Sequence, residues 1–518
     1  MCHEQCLCVV PPSPKLEEDI YRAKKFKDLN KVLDNSFSFD VLDLRSAEAI
    51  FSRPARTRAH TLIAANVDRA PITGTRRALV VMVDFNDQVA TQAPQHYSDM
   101  LFSAGTYATG SMRDFYREAS YNQLDVVGSV HGWYRAPQTK DYYTNDDYGF
   151  GAYPRNAQKL AEDVIDLAAP HVDFSDYDND GDGIVEALVI IVAGSGGEVT
   201  GDTGDIWSHK WGINPKNYNG VSIQTYFMAP EDGKVGVMSH ELGHLLMKWP
   251  DLYDTDYSSR GTGRWDLMAG GSWNNGGDTP AHPTAWCKLK AGWITPKVVY
   301  DTQQSVEIKP YHSSGDVYKL PVGSEDSKEY FLVSNRQQSR FDTYLPGGGC
   351  IIEHVDDNQS NNSDESHYLV DIEQADGLAQ LNSNANSGDA GDAFPNGGNT
   401  VFDKNSTPSS NAYSGAGSDV SVSEIAIDGD LVQAIIKVGN VTNTTKTWHN
   451  FIEVTSVYTT YHSQNCWAEF AGFGWRKVET GNAAGVTSSL AVLCEAKANG
   501  SRVNAYLDDE KIYGLYLV

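Results

Sequence analysis

The chain has 518 residues and a formal net charge of -27, with 40% apolar and 11% aromatic residues. That length exceeds one ordinary core and implies two or three domains. The acidity argues against nucleic acid as a partner, because phosphate binding needs clustered Lys and Arg. No apolar run approaches the ~18 residues of a membrane span.

Residues 1–75 are irregular, with one helix expected around Lys15 to Leu33. The opening, MCHEQCLCVVPPSPKLEEDI, does not read as a secretory signal. Its apolar part, Leu7 to Pro12, is shorter than an h-region of roughly 7–15 residues followed by a cleavage site. Three of the seven cysteines, Cys2, Cys6 and Cys8, crowd this stretch beside His3. Such soft ligands could fill an open metal position, but a disordered, reduced tail is the plainer reading. Cys466 and Cys494 are available to pair near the other end.

From Arg76 the character changes. Arg77 to Phe85 is a continuous apolar run and reads as a buried strand, as does Glu186 to Gly196. Ser111 to Ser120 and Tyr153 to Pro170 read as helices, and Asn122 to Tyr134 alternates as strands do. Strand and helix alternate up to His244, the pattern of an α/β half-domain. Beyond Val298 short strands and turns dominate, and Val438 to Thr447 reads as a linker into a final all-β module. The fold class expected is therefore α+β, in four parts: an N-terminal extension (1–75), a catalytic domain (76–298), a β-rich continuation (299–440) and a small all-β domain (441–518).

Between the second helix and its following strand lies YDNDGDGIVEA, Tyr177 to Ala187. Asp178, Asp180 and Asp182 alternate, Gly183 follows, and the Ile184 carbonyl and Glu186 occupy the next alternate places, which is the spacing of a calcium loop. The twelfth position is Val189, so the closing bidentate acid of an EF-hand is missing. A structural Ca2+ clip is expected; the alternative is an Asp-rich solvated turn.

Val237 to Lys248 contains His240, Glu241 and His244. Residues four apart share a helix face, so the two histidines can bind one zinc, with Glu241 placed to take a proton from water. No glutamate stands between Glu241 and Glu307, which weakens the reading with a glutamate third ligand on a later helix. In metzincins a glycine and then a His or Asp follow at three-residue steps. Met247 and Pro250 hold those places here. Pro250 disfavours helix at Trp249, so the chain turns and offers Asp251, one place late. Asp251 is the leading third ligand and Asp254 the second candidate. Arg264 to Trp273 follows as a Met-turn, with Met268 beneath the metal; alone it would read as a core methionine in a glycine turn. Tyr253, Tyr257 and His282 are candidates to stabilise the oxyanion, each equally readable as structural.

HELGHLLMKWPDLYDTDY, WDLMAGGSW and HPTAWCKLKAGWI together resemble the immune inhibitor A-type family of secreted bacterial metallopeptidases. IWSHKWGI, SNRQQSRFDTYLPGGGCIIEHVD, DIEQADG and GDAGDAFP agree, so the resemblance covers about residues 70–430. It implies a zinc endopeptidase acting on proteins or peptides, with a zincin/metzincin-like catalytic domain, a Met-turn, an aspartate third ligand, a zymogen form and a place outside the cell. The family spacing reaches that aspartate one residue earlier. The rival reading is an inactive peptidase-fold binding or surface protein, which would be free to lose Glu241. Oligomeric state, cleavage specificity and export route have no counterpart in any motif.

Overall fold

The computed structural model describes residues 7–20, 70–395, 398–439, 447–460, 465–479, 483–507 and 511–518. They fall into two compact units divided between Gly439 and Asn440.

The first unit is built on a six-stranded sheet of β1 (Cys8–Val9), β2 (Gly74–Asp84), β3 (Leu124–Arg135), β4 (Leu188–Val192), β5 (His209–Tyr218) and β6 (Val221–Pro230), in the order β1-β5-β6-β4-β2-β3. β2 runs parallel to β3 and β4, and β4 parallel to β6. β5 returns antiparallel to β6 through Asn219-Gly220. Both residues of that turn have positive φ, as a two-residue hairpin requires. Side chains alternate along β2, so its apolar run feeds two cores. Ala78, Val80 and Met82 face one, and Leu79, Val81 and Val83 the other.

Helices cover both faces. α1 (Pro94–Phe102), α2 (Met112–Ala119) and α4 (Val235–Leu242) contribute to the first core, α3 (Ala157–Ala168) to the second. Ser111 and Asp114 form a capping box at the start of α2. The third helix begins later than its periodicity suggests, because the Asn156 side chain accepts from the Lys159 amide and sets the N-cap there. Of the helix expected over Lys15 to Leu33, residues 14–20 are helical and the remainder lies outside the described residues.

After α5 (Ala285–Lys290) the same unit continues as β structure: β7 (Lys297–Val298), β8 (Thr302–Ile308), β9 (Tyr318–Pro321), β10 (Glu329–Arg336), β11 (Gly349–Asp356), β12 (Val370–Ile372), β13 (Val420–Asp428) and β14 (Leu431–Val438). These make a five-stranded sheet, β12-β11-β10-β9-β7, and a three-stranded one, β13-β14-β8, around a shared core. Glu353 of β11 accepts the Ala285 and Trp286 amides, which ties this region to α5.

The second unit is a closed barrel of β15 (Thr447–Thr459), β16 (Cys466–Phe470), β17 (Gly474–Val478), β18 (Arg502–Leu507) and β19 (Lys511–Leu517), in the order β15-β16-β17-β19-β18. The expectation of an all-β module is corrected here. A 17-residue helix, α6 (Ala483–Asn499), lies between the third and fourth strands. It buries Val486, Leu493 and Ala496 in the barrel core. Cys466 and Cys494 are both free: Cys466 is buried, whereas Cys494 is exposed on α6.

Candidate active site

α4 is buried along its whole length, including His240 and Glu241. It does not end at Leu242 but widens into a π-helical turn, Gly243–Met247, closed by Lys248 at φ 58°. A π turn holds one residue more than an α turn. The helix therefore ends in this π turn, ahead of Pro250. Asp251 then arrives beside the two histidines.

Each imidazole is oriented from behind. His240 Nδ1 donates to the Leu267 carbonyl at 2.9 Å, and His244 Nδ1 to the Trp249 carbonyl at 2.6 Å. The Nε2 atoms therefore carry bare lone pairs, and they lie 3.0 Å apart. Asp251 Oδ1 is 3.3 Å from one and 3.1 Å from the other, and no hydrogen-bond donor satisfies it. A tetrahedral zinc site separates its N and O ligand atoms by roughly 3.3 Å. Three buried electron-pair donors this close repel one another without a cation, so the donor set fits Zn2+ and leaves a fourth position open. Burial pushes the His240 pKa down, consistent with a neutral ligand. For Asp251 burial acts to raise the pKa, but the His244 and His240 imidazoles beside it outweigh that and hold the carboxyl below its ordinary range.

Glu241 is fully buried, and neither carboxylate oxygen has a hydrogen-bond partner. Burial pushes its pKa well up, with Asp251 and Glu198 adding to the effect. Met268 is fully buried under this segment. A Cβ on Gly243 would lie 2.9 Å from Met268 Sδ and 3.0 Å from Trp249, so only glycine fits at that point. Asp254, the second candidate ligand, is spent on its own turn: its carboxylate accepts from the Asp256 and Ser259 amides and from Ser258 Oγ. Among the proposed oxyanion groups, the Tyr253 ring stacks on Tyr257 and its hydroxyl donates to a peptide carbonyl, Val9 O, at 2.9 Å. His282 bonds to Glu118 and Lys288 instead.

What lies across this centre is part of the N-terminal extension, the possible pro-segment, whose course along β5 was not legible in sequence. Residues 8–13 run along the centre, and Cys8–Val9 (β1) pair antiparallel with the outer edge of β5. Besides Tyr253, the indoles of Trp207 and Trp273 donate to the Val10 and Pro11 carbonyls at 2.9 and 2.8 Å. The Ser13 amide donates to Glu198 O at 2.7 Å. Glu17 pairs with Arg260. The Cys8 sulfur sits within 4.8 Å of ligand atoms of His244 and Asp251. Cys8 is disulfide-bonded, so a disordered, reduced tail does not describe residues 7–20. Cys2, His3 and Cys6 lie outside the described residues. The only local signal was Pro11-Pro12, which enforces extended backbone around it.

The acidic loop is preformed apart from this centre. Asp178, Asp180, Asp182 and Glu186 bring carboxylate oxygens within 4.8 Å of one another. Gly181 and Gly183 take positive φ, and their amides donate to Asp178. Ile184 bridges to Ser222 at the start of β6, which anchors the loop to the sheet. Desolvation raises the Glu186 pKa, while bonds from Asn179 oppose it.

Residues 73–298 match the family described as immune inhibitor A peptidase M6, catalytic domain. Immune inhibitor A of Bacillus thuringiensis subsp. alesti is 32% identical over 248 residues, covering 40% of this chain and 34% of that protein. The chain thus spans about a third of the length of the curated relative it matches. The motifs, the histidine–aspartate cluster and both comparisons agree: residues 73–298 are similar to the immune inhibitor A peptidase M6 catalytic domain.

Proposed function

We propose that this chain is a zinc-dependent endopeptidase acting on proteins or peptides outside the cell, and that residues 7–20 hold it latent. The observation that carries the reading is the convergence of His240 Nε2, His244 Nε2 and Asp251 Oδ1 beside a buried Glu241, with an extended peptide already laid across them.

His240, His244 and Asp251 would hold zinc, which when bound would supply Lewis acidity for the attack of water on the scissile carbonyl. Glu241 takes the proton from that water and returns it to the leaving amine. The free edge of β5 binds the substrate backbone as an added strand, as it now binds β1. Tyr253 donates to the substrate carbonyl as it now donates to Val9 O, which makes it the best candidate for stabilising the developing oxyanion. Trp207 and Trp273 fix the neighbouring carbonyls, and Met268 supports the centre from below. The presence of Glu241 beside the metal-ligand set speaks against an inactive binding scaffold.

Latency follows from the same contacts. The segment takes the sheet edge, the Tyr253 hydroxyl and the space over the metal ligands that a substrate needs. Its Cys8 sulfur, being in a disulfide, blocks by position and not as a thiolate. The acidic loop serves as a structural Ca2+ clip.

Casein hydrolysis tests the reading. A chain beginning at Gly74 should cleave casein, the full chain should do so slowly, and a zinc chelator should abolish both. Absence of any hydrolysis by the zinc-loaded shorter chain would overturn the proposal.

A further inference from the structure

The C-terminal barrel presents a row of rings that its core does not use. The register places Tyr458 opposite Trp467, Trp467 opposite Lys477, and Glu469 opposite Trp475. Directly opposed residues share a face, so these side chains stand together on the outside of β15, β16 and β17. Cys466, Ala468 and Phe470, the alternate residues of β16, are buried inside. Val454, Val503, Ala505 and Ile512 complete that interior without the rings.

Tyr458 is 53% exposed and Trp475 44%. With Trp467 and Asn465 they line a shallow groove of about 520 Å³. Its polar edge is ordered: Asn465 Oδ1 accepts from Trp467 Nε1 at 2.9 Å, and Asn465 Nδ2 donates to Thr460 at 2.8 Å. Lys477 lies 5.8 Å from the Trp467 ring.

The topology sharpens the question. The order 1-2-3-5-4, with the third and fifth strands parallel and a helix before the fourth, is that of an OB-fold. Barrels of this kind use the face around strands two and three for oligonucleotides or oligosaccharides. Charge chooses between them. Residues 440–518 carry six Lys and Arg against seven Asp and Glu, a net of -1. A strand of phosphates needs a positive groove beside its stacking rings, and among the described residues this face sets one lysine, Lys477, against one glutamate, Glu469. A pyranose needs flat rings for its C–H faces and scattered polar groups for its hydroxyls, and that is the composition of this groove.

The geometry points to a binding platform for a neutral oligosaccharide, with Tyr458, Trp467 and Trp475 as stacking rings and Asn465, Glu469 and Lys477 as hydroxyl partners. This assignment stands independently of the peptidase reading.

The test is affinity electrophoresis of the full chain in native gels cast with β-glucan, galactomannan, arabinoxylan or glycol chitin, alongside a mixing titration with a (dT)15 oligonucleotide. The expected result is retardation by at least one polysaccharide, weakened roughly tenfold or more in Trp475→Ala and in Trp467→Ala. Trp475→Tyr should retain most of it, and Trp448→Ala, an exposed ring away from the groove, should change nothing. Thermal melting of each variant separates lost stacking from lost folding. Retardation by none of the four polymers, binding of (dT)15 in their place, or retardation that survives both tryptophan substitutions would each overturn the assignment.

Discussion

At the scale of single residues, the centre depends on which carboxylate faces the imidazoles. Asp251 Oδ1 lies 3.3 and 3.1 Å from the two Nε2 atoms and has no donor of its own. Asp254 satisfies three donors within its own turn. Asp251→Ala should therefore reduce bound zinc by well over tenfold at limiting metal, in the ~10–100-fold range or beyond expected even for a ligand's supporting partner. Asp254→Ala should lower thermal stability but leave zinc content near one per chain. Metal analysis of both purified variants decides it, and the reverse order would contradict the assignment. His240, Glu241 and His244 were legible in the sequence because their grouping is local: residues one and four apart on one helix need no tertiary information. Asp251 was legible through Pro250, which had to end the helix. The way it arrives was not, because a π turn comes from packing around Gly243 and Met268, and no periodicity announces it.

At the scale of elements, the segment 7–20 and the acidic loop each support a prediction. The segment makes a strand pair with β5, carbonyl bonds from Tyr253, Trp207 and Trp273, and an ion pair with Arg260. A chain beginning at Gly74 should cleave a quenched peptide at least tenfold faster than the full chain. Equal initial rates would remove residues 1–73 from any role in latency. The acidic loop brings four carboxylates together and joins the segment before β4 to the start of β6 through Ile184. Calcium should raise the melting temperature by several degrees and slow self-cleavage, read by calorimetry and gel time courses with and without a calcium-selective chelator. Coincident melting curves would reduce the loop to a polar turn. Strands β2 and β4 and helices α2 and α3 were readable from apolar runs and periodicity. The β1–β5 pairing was not, since it joins positions about 200 apart in sequence. Helix α6 was missed because AAGVTSSLAVLCEAKAN is rich in small residues and shows little contrast between its faces.

At the scale of the whole molecule, pH should act through a buried group far from the metal ligands in sequence. His354 of β11 lies 3.0 Å from Glu329 and 3.1 Å from Glu373, stacked on Tyr413. Burial acts to lower its pKa, but the bonds to the two carboxylates outweigh that and push it up to about 9. An unfolded histidine titrates near ~6.5. Since the folded state binds the proton more tightly, the stabilisation is fully present below about pH 6.5 and is lost as pH rises toward 9. The melting temperature should fall across that window, and His354→Gln should flatten the fall; an unchanged slope in the variant would refute the assignment. The α+β class and the alternation of the first unit could be read from the chain, whereas closure of the C-terminal barrel could not, because barrel order is set by long-range pairing. The measurement that tests the central claim most directly is zinc content and peptide cleavage in the chain beginning at Gly74, with and without Glu241→Gln. Glu241 is read as the base and not a ligand. The account predicts one zinc per chain in both forms and a loss of cleavage of at least ~100-fold in the variant, within the range of a lost general base. A variant that keeps both its zinc and near-normal hydrolysis would contradict it.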